Sequence, residues 1–301
     1  MIHVSVMPDE SLEALNLQTS GVYVDGTLGA GGHTERIARQ IGPNGMVIAF
    51  DRDVAAIDAT EARLRAAGIE NVRYVHADFR FLAEALDRIG MSRIDGILLD
   101  IGLSSDQLAD RERGFSFESD GPLDMRFDTG EGEPAWRLLE HWNEEHIADM
   151  IYRYGEERFS RRIARRIVEQ RQTGKPLRTA AELAAIVRRC VPPERRTKKG
   201  QTTNIDPATR TFQGLRIAVN DELGALEAVL KIAPERLKPG GRLAVISFHS
   251  LEDRIVKSAF REDERLEIVT KKPIMAGDAE CRDNPRARSA KLRVACRRSS
   301  K

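Results

Sequence analysis

Residues 22–34 read VYVDGTLGAGGHT, an apolar run followed without a break by a glycine-rich turn. The apolar run predicts a short buried strand, and an amphipathic helical pattern begins at Thr34. Glycines between a strand and a helix let the backbone approach a ligand closely, and they leave the N–H groups of the helix start available to it. The turn therefore predicts a ligand site between the first strand and the first helix.

Outward from this turn, short apolar runs alternate with helical patterns as far as residue 100. Alternation at this spacing is typical of βαβ units and predicts a parallel sheet whose strands are apolar on both faces. The predicted strands are Val22–Val24, Met46–Phe50, Val72–His76 and Ile94–Leu99, and the predicted helices are Thr34–Ile41, Val54–Ala67 and Phe79–Ile89.

The alternation stops after Asp100 and resumes near Phe212. Between them the sequence predicts turns and three helices, near Trp136–Tyr154, Arg158–Gln172 and Thr179–Cys190. Beyond them it predicts one long helix Phe212–Leu237, a strand Arg242–Phe248, a helix Leu251–Phe260 and two short strands, Leu266–Thr270 and Lys291–Cys296. Seven strands with a hairpin-like final pair follow the plan of the class I methyltransferases. We therefore predict an α/β fold with a Rossmann-like seven-stranded sheet, formed by residues 1–103 and 212–301, with a helical insertion for substrate recognition at 104–211.

Composition and charge exclude several classes of protein. The chain has 301 residues, with 48 Lys and Arg against 47 Asp and Glu, so the net charge of +1 indicates no partner. Asp9, Glu10 and Glu13 stand where an export signal needs a positive start and an apolar core. No apolar run approaches the ~20 residues of a membrane span. We expect a soluble cytoplasmic protein that does not contact a membrane.

The distribution of cysteine and histidine predicts no metal held by the protein. Cys190, Cys281 and Cys296 lie far apart and are odd in number, which argues against a disulfide framework and a zinc cluster. His141 and His146 do not have the HExxH spacing of a zinc enzyme.

Polar and aromatic residues at the predicted strand ends are candidates for the site. Asp51 ends the second strand about 20 residues past Gly31, where a carboxylate can accept hydrogen bonds from the hydroxyls of an adenosine ribose. Phe79 follows the third strand and either contacts the adenine ring or belongs to the core. Asp100 ends the fourth strand, and because such ends line the ligand crevice of a parallel sheet, we expect it to face the cofactor or the methyl acceptor. The glycine spacing disfavours a nicotinamide enzyme, since the third glycine of GxGxxG would fall at Thr34.

Longer blocks of sequence carry a more specific signal. They are residues 25–33 (DGTLGAGGH), 51–53 (DRD), 95–102 (DGILLDIG), 113–117 (RGFSF), 120–126 (DGPLDMR), 210–217 (RTFQGLRI), 247–254 (SFHSLEDR) and 284–293 (NPRARSAKLR). In this order, and over nearly the whole chain, they resemble the ribosomal small subunit methyltransferase H family, the bacterial 16S rRNA cytosine-N4 methyltransferases. The chain departs from the family at Gly214 and Ala287, where the family more usually has alanine and serine. A glycine inside a helix costs about 1 kcal/mol relative to alanine.

The resemblance implies transfer of a methyl group from S-adenosylmethionine to the N4 amine of a cytidine in the decoding region of small-subunit rRNA. The cofactor contacts that it implies are Gly31, Gly32, His33, Asp51, Phe79, Asp100 and Gln107. Asp100, our catalytic candidate, or a nearby backbone carbonyl would hold an N–H of the amine, and positioning would supply most of the acceleration. The implied partner is the small ribosomal subunit with its 16S rRNA, and a monomer and a homodimer both stay open.

Basic segments are the expected RNA contacts, although the total charge is near zero. One runs through Arg188, Arg189, Arg195, Arg196, Lys198 and Lys199, and the other from Arg282 to Lys301. The candidates for substrate RNA contacts are Arg210, Arg216, Ser247, His249, Arg286, Arg288, Lys291 and Arg293. The arginines 161, 162, 165 and 166 are instead expected to form a solvated helix face, because Glu156, Glu157 and Glu169 are available to pair with them.

Some alternatives stay open at the level of sequence. His249 is a proton acceptor, a phosphate contact or, as we favour, a strand-end histidine whose hydrogen bonds are satisfied within the protein. The same fold also suits a methyltransferase for a small molecule or a protein, and a non-catalytic rRNA-binding assembly factor. A methyltransferase for a small molecule or a protein would leave the basic segments without a role. A non-catalytic assembly factor would leave Asp51 and Asp100 without a role.

Overall fold

The computed structural model describes residues 5–192 and 206–299, which divide into two compact units. The first unit comprises the described residues up to Ser104 and from Leu223 onward, and the second comprises those from Ser105 to Glu222. The second unit extends beyond the predicted boundary at residue 211, because it includes the whole helix Ala208–Asn220. That the two units are separate functional domains stays a prediction.

The first unit contains one mixed sheet and the helices that cover it. Its elements before the second unit are α1 (Pro8–Leu15), β1 (Val22–Asp25), α2 (Gly32–Ile41), β2 (Met46–Asp51), α3 (Val54–Ala66), β3 (Val72–His76), α4 (Leu82–Arg88) and β4 (Ile94–Asp100). Its later elements are α11 (Glu222–Arg236), β5 (Leu237–Ser247), α12 (Ser250–Glu262), β6 (Leu266–Ile268), β7 (Ile274–Met275), α13 (Asp278–Asp283) and β8 (Lys291–Arg297).

The sheet has the strand order β3-β2-β1-β4-β5-β8-β6. The pairs from β3 through β5 are parallel, whereas β8 runs antiparallel to β5 and β6. This is the plan of the class I methyltransferases, so the predicted fold class is confirmed. Because the strand order reverses between β1 and β4, the ligand crevice of such a sheet lies at the carboxyl ends of these two strands. Asp25 and Asp100 are the last residues of these two strands.

Two apolar layers enclose the sheet, as successive residues of each strand point to opposite faces. Val24, Ile97 and Leu99 belong to one layer, together with residues of α4, α11 and α12. Tyr23 and Leu98, the neighbours of these residues along the strands, belong to the other layer, with residues of α1 and α2. Burial on both faces explains why these strands are apolar without alternation.

The second unit is helical, as predicted. Its helices are α5 (Ser105–Ala109), α6 (Ala135–His141), α7 (Glu144–Gly155), α8 (Ser160–Gln172), α9 (Ala180–Cys190) and α10 (Ala208–Asn220). The predicted helix Trp136–Tyr154 is two helices, because the chain is extended at Trp142 and Asn143, and Asn143 caps the start of α7. The predicted helix Phe212–Leu237 is also two helices. Asp221 adopts φ 49°, and its N–H donates to the carbonyl of Ile217, which ends α10.

Four elements were not predicted from the sequence: the helices α1, α5 and α13, and the two-residue strand β7, which pairs with β8. With β7, the described residues form eight strands rather than seven.

Within residues 5–192 and 206–299, no helix combines the length and the apolar character needed to cross a bilayer. The same residues contain no group of three His, Cys, Asp or Glu side chains arranged to hold a metal ion.

Candidate active site

The glycine-rich turn after β1 is anchored by the buried carboxylate of Asp25. Its Oδ1 accepts the backbone N–H of Thr27 at 3.1 Å, and its Oδ2 accepts the hydroxyl of Thr34 at 2.7 Å. Burial raises the pKa of Asp25 above its ordinary value, although His33 and these hydrogen bonds oppose that effect. Asp25 therefore ties both ends of the turn to the sheet.

Glycine stands at these positions of the turn for different structural reasons. Gly31 has φ 74°, and a Cβ there would collide with Cγ2 of Thr60. A Cβ at Gly32 would collide with the hydroxyl of Ser5. At Gly29, with φ 48°, a Cβ would meet only Ser104, at 3.9 Å. Gly31 and Gly32 thus permit close packing within the protein, while Gly29 leaves the space beside the turn open.

Asp51 lies beside this turn, at the carboxyl end of β2. Its Oδ2 accepts the N–H of Gly29 at 2.7 Å, and its Oδ1 accepts the N–H of Asp53 at 2.9 Å. Burial raises the pKa of Asp51 even though these backbone hydrogen bonds oppose it. The backbone of Arg52 also hydrogen-bonds this carboxylate, and since a carboxylate has about four acceptor sites, capacity remains for a ligand hydroxyl.

Asp100 and His33 form a buried pair where the strand order reverses. Nε2 of His33 lies 3.5 Å from Oδ2 of Asp100, and the side chains are 4% and 12% exposed. The backbone N–H of Asp100 donates to the hydroxyl of Thr27 at 2.7 Å, which joins this pair to the glycine turn. Burial lowers the pKa of His33, but the contact with Asp100 and the charge of Asp25 outweigh it, so the net shift is upward.

The atoms of this pair have capacity for a ligand. Among the described residues, Oδ1 of Asp100 and both ring nitrogens of His33 are buried without a hydrogen-bond partner of good geometry. Buried polar atoms normally have such partners, so these three atoms indicate a place where a bound molecule completes the hydrogen bonding.

Phe79 lies close to the same turn. It begins a 3₁₀ turn after β3, it is half-buried against the core, and a Cβ at Gly26 would lie 3.4 Å from its Cβ. The first unit thus brings the turn, Asp51, Phe79 and Asp100 together at one edge of the sheet. A hydroxyl acceptor and an aromatic ring fit the ribose and the adenine of S-adenosylmethionine, and the unpartnered carboxylate oxygen fits an amino group of the cofactor or of the methyl acceptor.

Three of the predicted site residues belong to the second unit. Gln107 is a half-buried residue of α5, and its role as a cofactor contact stays a prediction. Arg210 is exposed and donates to the carbonyl of Glu156 at 3.1 Å. Arg216 pairs through two hydrogen bonds, of 2.7 and 2.9 Å, with the buried carboxylate of Glu222.

The candidates for RNA contacts on β5 and β8 are more enclosed than the sequence suggests. Ser247 is buried. The guanidinium of Arg293 is 8% exposed and donates through Nε to Asp253 at 2.6 Å, and Nζ of Lys291 lies 3.5 Å from the same carboxylate. Arg293 and Asp253 are 40 residues apart in the chain, which is why the sequence does not reveal the pair.

Arg286 and Arg288 lie on the 3₁₀ turn Pro285–Ser289, just before β8. Arg286 is half-buried, with its guanidinium 5.6 Å from the centre of the Phe248 ring. Arg288 is exposed, and its Nε donates to the carbonyl of Cys281 at 3.1 Å.

His249 caps the start of α12. Its Nδ1 lies 3.5 Å from the backbone N–H of Glu252, and its Nε2 lies 3.0 Å from the carboxylate of Glu252, which is 1% exposed. Both ring nitrogens thus face Glu252, but Nε2 and the carboxylate oxygen nearest to it make no hydrogen bond of good geometry among the described residues, so full satisfaction of His249 within the protein stays a prediction. Sequence reasoning missed Glu252 as the partner, although its spacing of three residues from the helix cap is the signature of a capping box.

Several members of the predicted basic segments lie outside the described residues. They are Arg195, Arg196, Lys198, Lys199 and Lys301. Within the described part, Arg188 is exposed and pairs with Asp206 at 2.7 Å.

Comparisons with known proteins identify the family. Residues 1–298 match the MraW methylase family. The "Ribosomal RNA small subunit methyltransferase H" of Sorangium cellulosum is 54% identical over 295 residues, covering 98% of this chain and 90% of that protein. The protein of the same name from Rhodopirellula baltica is 50% identical, covering 98% and 91%.

A solved structure, that of PH0851, superposes with a TM-score of 0.50 at 14% identity, covering 98% of this chain and 46% of that one, and supports the fold alone. With a match over nearly its whole length and relatives at half identity or more, the chain belongs to the MraW methylase family, whose members are methyltransferases that use S-adenosylmethionine.

Proposed function

We propose that the protein transfers the methyl group of S-adenosylmethionine to the N4 amine of a cytidine in the decoding region of 16S rRNA, within the small ribosomal subunit and in the cytoplasm. The observation that carries this proposal is the unpartnered carboxylate oxygen of Asp100 at the carboxyl end of β4, in a chain half identical to proteins named for small-subunit rRNA methylation.

The cofactor side of the site is formed by the first unit. Asp51 would accept the ribose hydroxyls, Phe79 would contact the adenine, and the N–H groups at the start of α2 would meet polar groups of the ligand. Gly31, the residue before α2, has no side chain to occupy these groups. When bound, the cofactor supplies an electrophilic methyl group on a sulfonium centre.

The acceptor side depends on Asp100. The lone pair of a cytosine amine is delocalised into the ring, so the amine is a weak nucleophile until an acceptor holds one of its N–H bonds. Oδ1 of Asp100 is free to accept that N–H among the described residues, while Oδ2 faces His33. Because the backbone of Asp100 is fixed by Thr27, the carboxylate would orient the amine at little entropic cost. The cytosine must leave any base stack to reach this site.

Six of the eight candidate RNA contacts divide into two groups in this proposal. Arg210 and Arg288 are exposed and would meet phosphate directly. Arg216 and Arg293 pair with Glu222 and Asp253, and we propose that they position neighbouring backbone rather than contact RNA. Ser247 and His249 would act in the same indirect way, because each is enclosed by its own unit.

A labelling experiment tests the function. The purified protein is incubated with methyl-labelled S-adenosylmethionine and small ribosomal subunits that lack the modification, and the RNA is digested to nucleosides. Label in N4-methylcytidine would support the donor, the acceptor atom and the RNA substrate together. Label in another nucleoside, or in protein, would contradict the proposal.

Substitution of Asp100 tests its role. We expect Asp100→Ala to lower turnover at least about 100-fold, because the amine loses its hydrogen-bond acceptor. Asp100→Asn keeps an accepting oxygen and should retain part of the activity. Calorimetric titration with S-adenosylhomocysteine separates a loss of cofactor binding from a loss of chemistry. Near-normal methylation by Asp100→Ala would overturn the role.

A further inference from the structure

The start of α8 in the second unit carries a concentration of exposed arginines. Arg158, just before the helix, and Arg161, Arg162 and Arg165 follow the spacing i, i+3, i+4 and i+7, and all four are exposed. Residues at this spacing share one side of a helix. Ile163, Ala164 and Ile167 are buried, so the arginine side faces away from the core of the unit.

Among the described residues, only Arg166 of the predicted solvated face pairs with one of the acidic residues that the sequence offers, Glu156, Glu157 and Glu169. Glu157 is 2% exposed, and its Oε1 accepts the N–H of Phe159 at 2.8 Å. Glu169 pairs with Arg166 at 2.8 Å, and Glu144 lies 3.7 Å from Arg165. Among the described residues, no carboxylate lies within ion-pair distance of Arg158, Arg161 or Arg162. The expected self-paired face is therefore absent at the beginning of the helix.

These arginines do not stabilise α8. The first turn contains Arg161 and Arg162 and no acidic residue, and no side chain caps it. Cations near a helix N-terminus are disfavoured by the helix dipole, whereas Asp or Glu there would stabilise the helix. The charge pattern is thus unfavourable for folding and favourable for an anionic partner.

An exposed aromatic side chain lies at the same end of the helix pair. The connection between α7 and α8 has only four residues, 156–159, and the two helices pack against each other. The last turn of α7 is consequently adjacent to the beginning of α8. Tyr152, in that last part of α7, is 61% exposed.

We propose that Tyr152, Arg158, Arg161 and Arg162, the α7–α8 arginine surface, bind the sugar-phosphate backbone of the RNA substrate and stack an unpaired base on Tyr152. The inference rests on the proposed function for the identity of that RNA. Arginines without acidic partners meet phosphate through paired hydrogen bonds, and an exposed aromatic ring at the same end of the two helices suits single-stranded segments of folded RNA.

The test compares two double variants of the same helix. Arg161→Ala/Arg162→Ala removes unpaired arginines, and Arg165→Ala/Arg166→Ala removes the same charge from arginines that have carboxylate partners. Binding to small subunits lacking the modification is measured over a series of salt concentrations. Each lost phosphate contact reduces the slope of log affinity against log salt by roughly 0.7–0.9, which is about five- to eightfold in affinity near 0.1 M salt.

We expect the first double variant to lose at least fivefold in affinity near 0.1 M salt, with a shallower slope, and the control to lose less than about twofold. Arg161→Lys/Arg162→Lys should recover most of the binding, since it restores the charge. Tyr152→Leu should weaken binding, and Tyr152→Phe should not. Thermal unfolding confirms that each variant is folded, and a stability loss in the first double variant would contradict the dipole argument.

Equal affinity of the two double variants for small subunits would contradict the proposal that the α7–α8 arginine surface binds RNA. So would a loss seen with subunits but not with protein-free 16S rRNA, which would indicate a ribosomal protein as the partner. Failure of the wild-type protein to methylate, with arginine-dependent RNA binding intact, would instead overturn the proposed function and leave the surface standing.

Discussion

His33, which lies against the carboxylate of Asp100, is a buried group whose charge depends on pH. The pKa of His33 is raised, since the effect of burial is outweighed by the contact with Asp100 and the charge of Asp25, while Arg36 opposes the shift. A group whose pKa is higher in the folded state stabilises the fold below its unfolded pKa and ceases to do so as pH rises through its folded pKa. The stabilisation by His33 is therefore complete below about pH 6.5 and is lost above it.

Comparison of the wild-type protein with His33→Gln tests this. Free energies of unfolding from urea denaturation, measured without cofactor from pH 6 to 9, should show the largest advantage of the wild type at the acidic end. The advantage should decline steadily as the pH rises. A difference that is constant over this range would show that His33 remains neutral.

Gly31 is predicted to matter for stability through Thr60. Alanine there would adopt φ 74° and meet Cγ2 of Thr60, so Gly31→Ala should destabilise the protein by about 2–5 kcal/mol. Gly29→Ala, with open space at its Cβ, should lose only about 1–2 kcal/mol.

Thr60→Ser offers a specific rescue. It removes Cγ2 but keeps the hydroxyl that donates to the carbonyl of Gly29 at 2.9 Å. Added to Gly31→Ala, it should recover roughly 1 kcal/mol or more in chemical denaturation, which is the steric share of the loss. No recovery would assign the whole loss to the backbone conformation.

At the scale of elements, the break between α10 and α11 shows what periodicity leaves out. The apolar pattern runs on past Asn220 and Asp221, and it predicts one helix. Asp221 nevertheless takes the left-handed conformation, φ 49°, which Asn and Asp adopt more readily than most residues. Asn220 and Asp221 are visible in the sequence, but two such residues are weak evidence for a helix end when the apolar periodicity continues on both sides of them.

Gly214 illustrates a different limit. Helix propensity treats it as a weakness of about 1 kcal/mol. In the structure a Cβ at Gly214 would lie 2.9 Å from the backbone nitrogen of Gly155, and one at Gly155 would collide with the carbonyl of Arg210. The glycines let α7 and α10 pack with their backbones in close contact, and the sequence could not reveal this because it depends on two distant positions.

The ion pair of Arg293 and Asp253 joins β8 to α12. Burial raises the pKa of Asp253, but the hydrogen bond and charge of Arg293 outweigh it, so the pKa is lowered. Asp253→Ala leaves an enclosed guanidinium without its partner and should cost about 3–5 kcal/mol. The apolar double variant Asp253→Leu/Arg293→Met should lie within about 1 kcal/mol of the wild type, because neither charge is then stranded.

Urea denaturation of the two variants measures these differences. Binding of the folded double variant to small subunits tests the RNA role first considered for Arg293. Affinity equal to that of the wild type agrees with a positioning role for Arg293. A severalfold loss of affinity in a variant of unchanged stability would indicate that Arg293 contacts the RNA directly.

At the scale of the whole molecule, the sheet was predictable because its parallel strands are buried on both faces and its polar residues stand at the strand ends. Asp51, Phe79 and Asp100 followed from that rule. The edge formed by β6, β7 and β8 was less predictable, since these strands are short and β7 has only two residues. The burial of Glu157 against the N–H of Phe159, which keeps it from pairing with Arg161 and Arg162, could be seen only in the folded structure.

Cofactor binding should be visible in the stability of the complete chain. A ligand that binds only the folded protein stabilises it by about 2.7 kcal/mol at a concentration of 100 times its dissociation constant. We expect S-adenosylhomocysteine to produce a shift of this size in the unfolding of the wild type and little shift in Asp51→Ala, which lacks the ribose acceptor.

Asp53→Ala is the matched control for Asp51→Ala. Asp53 caps α3 by accepting the N–H groups of Ala55 and Ala56, so this variant should be less stable by about 1 kcal/mol yet keep the full shift. An unchanged shift in Asp51→Ala would remove Asp51 from the cofactor site. Amide hydrogen exchange on the same samples should show protection at the glycine turn and beside Asp100, because a ligand held at the carboxyl ends of β1, β2 and β4 covers both.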